Sequence, residues 1–157
     1  MSFELLSPAF GYHQPIPVRY TCDGDNISPE LFWMGVPENS VAFALTMEDP
    51  NAPTGVFTHW VLFNLSARTR RLLEGVSRTE RVADGAIQGR NDFGTIGYSG
   101  PCPPRGRPPH HYHFALYALD TLLELGPGAS RAQVLAAMQG HISGRAQLIG
   151  IYKRRTG

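Results

Sequence analysis

Cysteine is scarce: Cys22 and Cys102 are the only two in 157 residues. They lie far apart, and no cysteine framework surrounds them. They read as free thiols in a reducing compartment, which excludes a small disulfide-stapled scaffold. Charge is sparse as well, with 14 Lys and Arg against 13 Asp and Glu, a net +1. The balance by itself says nothing of partners, but the densest basic stretch, Arg68 to Arg81, has no interleaved aromatics, so nucleic acid is not an expected partner. No apolar run reaches 18 residues, so no transmembrane segment is expected. The start, Met1-Ser-Phe-Glu-Leu-Leu-Ser-Pro8, has neither a basic region nor a long apolar core and is not expected to be a signal peptide. Cytoplasmic location follows as the expectation. No repeat, low-complexity tract, P-loop or dinucleotide fingerprint is present. Gly97-Tyr-Ser-Gly-Pro101 fails the spacing of a nucleophile elbow.

What is plentiful is glycine, with 17 residues, and proline, with 13. Such a mix suits short strands and many turns. The length suits one domain, residues 1–157, able to bury roughly 68–70% of its unfolded surface. Acids dominate the first part, with seven against Arg19 alone up to Ala67, and bases dominate the rest. The densest basic stretch, Arg68 to Arg81, reads as a solvated face that could attract an anionic partner.

Alternation predicts strands at Val41–Glu48, Phe57–Leu65 and His113–Asp120, apolar on both faces as in a covered sheet. Weaker strands are expected at Phe3–Leu6, Val18–Thr21, Leu31–Trp33 and Leu148–Lys153. Ser130 with Gln133 forms a capping-box pattern and predicts a helix over residues 131–139, with a continuation after Gly140. A short helix is expected near Thr69–Leu73. Asp49-Pro-Asn-Ala-Pro-Thr-Gly55 reads as a rigid loop between two strands. The segment Gly85–Pro109 holds six glycines and five prolines, and a loop that long in a compact domain points to function.

Three clusters could carry chemistry. A hairpin would bring Asp49 near His59, where the carboxylate would fix the imidazole tautomer. Gly97-Tyr-Ser-Gly100-Pro101-Cys-Pro-Pro104 could offer backbone N–H groups to an anion, or be a stiff surface loop. His110-His-Tyr112-His113 places His110 and Tyr112 on one face of an extended segment. These two could donate to an oxyanion beside His59 and Asp49. A metal site is the other reading of the histidines, but no Cys or Glu sits at matched spacing to complete a shell. Neither metal nor cofactor is therefore expected.

Together these segments, with Asp23-Gly-Asp-Asn-Ile-Ser-Pro29 and Ala136-Ala-Met-Gln-Gly140-His-Ile142, resemble the phosphatidylethanolamine-binding (Raf kinase inhibitor-like) family, most of all its short bacterial and archaeal branch. The resemblance spans nearly the whole chain in order. It implies a mainly β fold, a Greek-key β-sandwich with a few peripheral helices. It implies a pocket for phosphate, phosphoryl head groups or similar small anions, lined by Asp49, Pro53, His59, Trp60, Gly100, Pro101, His110 and Tyr112. Asn51 departs from the family loop, which usually carries a second acid there, and removes one negative charge near the mouth. Binding is the first function implied, with modulation of a kinase or another enzyme through an unidentified protein partner as a further implication. A homodimer is also compatible with the branch. The alternative is a hydrolase or transferase acting on a small phosphate or ester through Asp49, His59, Ser99 and Tyr112.

Overall fold

The computed structural model describes residues 2–155. In chain order its strands are β1 (Glu4–Leu6), β2 (Gln14–Pro15), β3 (Leu31–Met34), β4 (Ala42–Ala52), β5 (Gly55–Ser66), β6 (Arg71–Leu72), β7 (Ile87–Gln88), β8 (His110–Leu119) and β9 (Ile142–Tyr152), with one helix, α1 (Arg131–Met138), before β9. Two sheets form. The smaller has the order β1-β3-β6, and the larger β2-β9-β8-β4-β5-β7. Within the larger sheet, β4, β5 and β7 follow one another as antiparallel neighbours, and β8 then returns to lie beside β4. That spatial order is the Greek-key arrangement.

The core sits between the sheets. Leu5, Leu31 and Trp33 of the small sheet meet Phe43, Leu45, Leu62, Phe114 and Leu116 of the large one. The outer face of the large sheet carries Ala44, Val61 and Phe63, covered by Val134 and Met138 of α1. Both faces of β4, β5 and β8 are therefore buried, which is why those strands are apolar throughout.

The capping box at Ser130 is present in both directions: Ser130 accepts from the Gln133 amide and Gln133 accepts from the Ser130 amide. The helix ends at Met138, and Gly140 follows at a φ of 81°. The expected helical continuation is instead the first half of β9. Gly144 disguised that strand. It is there because an added Cβ would meet Pro37 Cγ at 2.6 Å. Residues 18–20 form a single 3-10 turn rather than a strand, entered through Pro17. The expected helix near residues 69–73 is the short edge strand β6, paired with β3. The segment expected as a loop after Glu48 is the far end of the β4–β5 hairpin. Its ladder lapses between Asp49 and Ala52, so Pro50, which lacks an N–H, sits where no ladder bond is asked of it.

Cys22 and Cys102 are joined in a disulfide, with their Cα atoms 5.4 Å apart. This corrects the expectation of free thiols. Separation along the chain says nothing of separation in space. The Cys22 amide also donates to the Pro101 carbonyl at 3.1 Å, so the two segments run side by side at the bridge. The expectation of a reducing, cytoplasmic compartment loses the support that it drew from reduced cysteines. No helix among the described residues is long and apolar enough to cross a membrane.

Candidate functional site

A cavity of about 290 Å³ opens where the β4–β5 hairpin, the start of β8 and the proline-rich loop before β8 converge. Asp49, Pro53, His59, His110 and Tyr112 line it, together with Phe57, Phe93, Cys102 and Pro104. The sheet supplies the polar groups and the loop supplies most of the apolar wall.

His59 reaches this cavity through a defect in the ladder. Met47 pairs with Trp60, yet the next residue, Glu48, pairs with Thr58. His59 is the extra residue, a β-bulge. Strict alternation would send His59 to the outer face with Val61 and Phe63. The bulge re-aims it, and its ring lies 5.3 Å from that of Tyr112, edge to face. Phe57 and Phe93 flank the same ring at 5.1 and 5.5 Å.

The imidazole is held in one tautomer. His59 Nδ1 lies 2.6 Å from the Ser99 carbonyl oxygen. A carbonyl can only accept, so Nδ1 carries the proton and Nε2 is the nitrogen left over. The Ser99 amide in turn donates to the His59 carbonyl at 3.1 Å. Burial holds His59 below the usual histidine range, opposed mainly by the bond to Ser99. At neutral pH the free Nε2 is therefore an acceptor.

Asp49 does not serve His59. Its Oδ2 accepts from Nδ1 of His110 at 2.6 Å, and its Oδ1 accepts from the Asn51 amide at 2.8 Å. The hairpin reading failed because the nearest histidine in sequence lies on the neighbouring strand, whereas β8 on the other side of β4 brings His110 directly onto the carboxylate. Asp49 is 4% exposed and His110 8%, so the pair is shielded from water and His110 too keeps Nε2 unspent. Tyr112 is fully buried, and burial drives its phenol far above the usual range. It stays protonated at neutral pH, and its ring lines the cavity, with no hydrogen bond from its O–H to a protein acceptor among the described residues.

Three of the expected pocket residues lie outside the lining. Trp60 faces the inner core, where its indole N–H donates to Gln88 Oε1 at 2.8 Å and its ring meets Tyr98 edge to face. The Gly100 amide donates to Asn26 Oδ1 at 2.7 Å, so it is not a free anion donor. A Cβ on Gly100 would fall 2.1 Å from the Tyr20 carbonyl oxygen. Pro101 lends its carbonyl to Cys22. Gly100 and Pro101 hold the loop rather than touch the cavity. Arg78 helps them, donating from Nε to the Tyr98 carbonyl at 2.7 Å and to the Asn26 carbonyl. Phe57 and Phe93 were missed as lining residues. Phe57 had a signal, since it alternates with His59 on the same strand. Phe93 had only its place in the long loop.

The family model described as phosphatidylethanolamine-binding protein matches residues 6–153. A UPF0098 protein of Methanothermobacter thermautotrophicus is 54% identical over 151 residues, covering 96% of this chain and 99% of that one. A crystal structure described as a candidate phosphatidylethanolamine-binding protein homologue of Chlamydia trachomatis superposes with a TM-score of 0.89 at 40% identity, covering 98% of each chain. An Escherichia coli structure described as a new member of the mammalian family superposes at 0.91 with 33% identity, covering 98% of this chain and 99% of that one.

Proposed function

The chain belongs to the phosphatidylethanolamine-binding protein family, and on that premise we propose that its pocket binds a small anion that carries a titratable proton, such as phosphate or a phosphoryl head group. One observation carries this reading. Two imidazoles, each with Nδ1 committed to the protein, and one unspent phenol O–H surround a single cavity. Tyr112 donates to an oxyanion. The neutral Nε2 of His59 accepts, so it suits an anion that still holds a proton. A phosphate monoester, with a second pKa near 6, shares that proton readily with an imidazole. Asp49 holds the ring of His110, and both of its oxygens are engaged in doing so. The cavity is at the lower edge of the size range of small-molecule sites, which suits a head group.

The test is a calorimetric titration with inorganic phosphate and with O-phosphoethanolamine, on wild type, His59→Ala and Tyr112→Phe. Saturable binding that is lost in His59→Ala is the expected result. No heat with the folded wild type would overturn the reading. A second reading draws on the Asp49–His110 pair, whose geometry is that of an oriented general base. It implies hydrolysis of a small phosphate or ester. Turnover of a generic phosphate or ester that disappears in Asp49→Asn would establish it. Turnover unchanged in that variant would point to a contaminant.

A further inference from the structure

A second cavity, about 450 Å³, adjoins the first and shares Pro53, Pro104 and His110 with it. Its remaining polar wall is Asn51, Arg107 and His111. Arg107 is exposed and, among the described residues, has no ion-pair partner, whereas Arg154 nearby in the fold is paired with Asp23. Among the described residues the only carboxylate bordering either cavity is Asp49, and it is buried with both oxygens engaged. Asn51 stands at the hairpin tip, where its Oδ1 accepts the His111 amide at 2.9 Å and faces His111 Nδ1 at 3.1 Å. Among the described residues the groove therefore has one permanent cation, Arg107, two imidazoles, His110 and His111, and no carboxylate of its own. Its floor is made of Pro53, Pro104, Pro108 and Pro109, rigid rings with no N–H to offer.

We propose that pocket and groove form one two-part site, and that its ligand is a small molecule bearing two anionic groups, one seated among His59, His110 and Tyr112 and the other beside Arg107 and His111. This rests on the anion-pocket reading above. The pocket suits no more than a head group, and the wall of Pro53 and Pro104 that it shares with the groove gives the rest of a ligand a direct way on. What it meets there is a cation. A lipid, whose remainder is apolar, would leave Arg107 without a counter-charge, whereas a second phosphate or carboxylate would supply one.

The experiment is a calorimetric comparison of methylphosphonate with a series of alkane bisphosphonates of increasing chain length, at low salt, on wild type, Arg107→Gln and Asn51→Asp. Both variants lie on the exposed rim, and Asn51→Asp keeps the acceptor for the His111 amide while adding a carboxylate to the groove. The best bisphosphonate should bind wild type roughly ten-fold more tightly than methylphosphonate, the worth of one charge-assisted contact. Both variants should lose that advantage, and in Arg107→Gln methylphosphonate should stay within about two-fold of wild type. A bisphosphonate advantage that survives in Arg107→Gln, or none in wild type, would overturn the two-part site and leave the pocket standing. Failure of methylphosphonate itself to bind wild type would overturn the pocket and the two-part site together.

Discussion

The two walls of the pocket are built by different means. The sheet wall carries Asp49, His59, His110 and Tyr112 on three adjacent strands whose ladders run the length of the large sheet. The loop wall, Phe93 and Cys102 to Pro104, has no ladder. It is tied down by the Ser99 bonds to His59, by Asn26 beneath Gly100, by Arg78, and by the disulfide. The groups that can exchange protons stand on the rigid wall, and the groups that set the shape stand on the tethered one. Position matters most for a hydrogen bond, which fails within a few tenths of an ångström. An apolar wall tolerates more slack. His59 belongs to both walls, since its backbone is a bulge in β5 and its ring is fixed by the loop.

The largest test of that contrast is removal of the bridge. Cys22→Ser with Cys102→Ser should lower unfolding stability by ~2–4 kcal/mol, the usual worth of a disulfide that closes a long loop. Hydrogen exchange should accelerate at the amides of residues 99, 100 and 102 and hardly change in β8. Equal acceleration in both would mean that the walls open as one unit. Gly100→Ala comes next. Its Cβ collides with backbone, and ~1–3 kcal/mol of destabilisation is expected from denaturant midpoints, together with a loosened His59 ring. Tyr112→Phe probes the rigid wall and should behave in the opposite way. Removing a hydroxyl with no protein acceptor should leave stability unchanged or slightly raised, while phosphate affinity falls by ~1.5–3 kcal/mol, the worth of a hydrogen bond to a charged group.

The smallest effect is in pH. His59 and His113 are both held below the ordinary histidine value of 6.5 by burial. As pH falls through that value the unfolded chain takes up protons first, so folded stability declines until the folded rings titrate and then levels off. His59→Gln should flatten part of that slope. Saturating phosphate should flatten it in wild type, because an anion beside His59 stabilises the charged ring. A slope of the opposite sign would contradict the lowering of the His59 pKa by burial.

Much of the fold could be read from residues alone, and the physical reason is plain. Val41–Glu48, Phe57–Leu65 and His113–Asp120 are apolar on both faces because both faces are covered, and Ser130 with Gln133 makes a cap that works locally. The first half of β9 was hidden because Gly144 answers to Pro37, a residue distant in sequence. The site residues were legible as a set, but their pairing was not. Asp49 was matched with the histidine ten positions on, and it serves one 61 positions away. The bulge at His59 depends on a register that one strand alone does not determine. Trp60 was placed at the cavity by the family resemblance; the bulge brings His59 to the same side of the sheet, but Trp60 turns into the core against Gln88 and Tyr98. The disulfide, too, needs the Greek-key return before it can be foreseen.

The central claim is that His59 presents an unprotonated Nε2 to a proton-bearing anion. Long-range ¹H–¹⁵N correlation spectra of the histidine rings, recorded at neutral pH with and without phosphate, test it most directly. The account predicts a free protein in which His59 is neutral and protonated at Nδ1, and a phosphate-bound protein in which the Nε2 resonance moves toward the protonated position while sulfate, which has no proton to share at that pH, moves it far less. A His59 ring protonated at Nε2 in the free protein, or one indifferent to saturating phosphate, would contradict it.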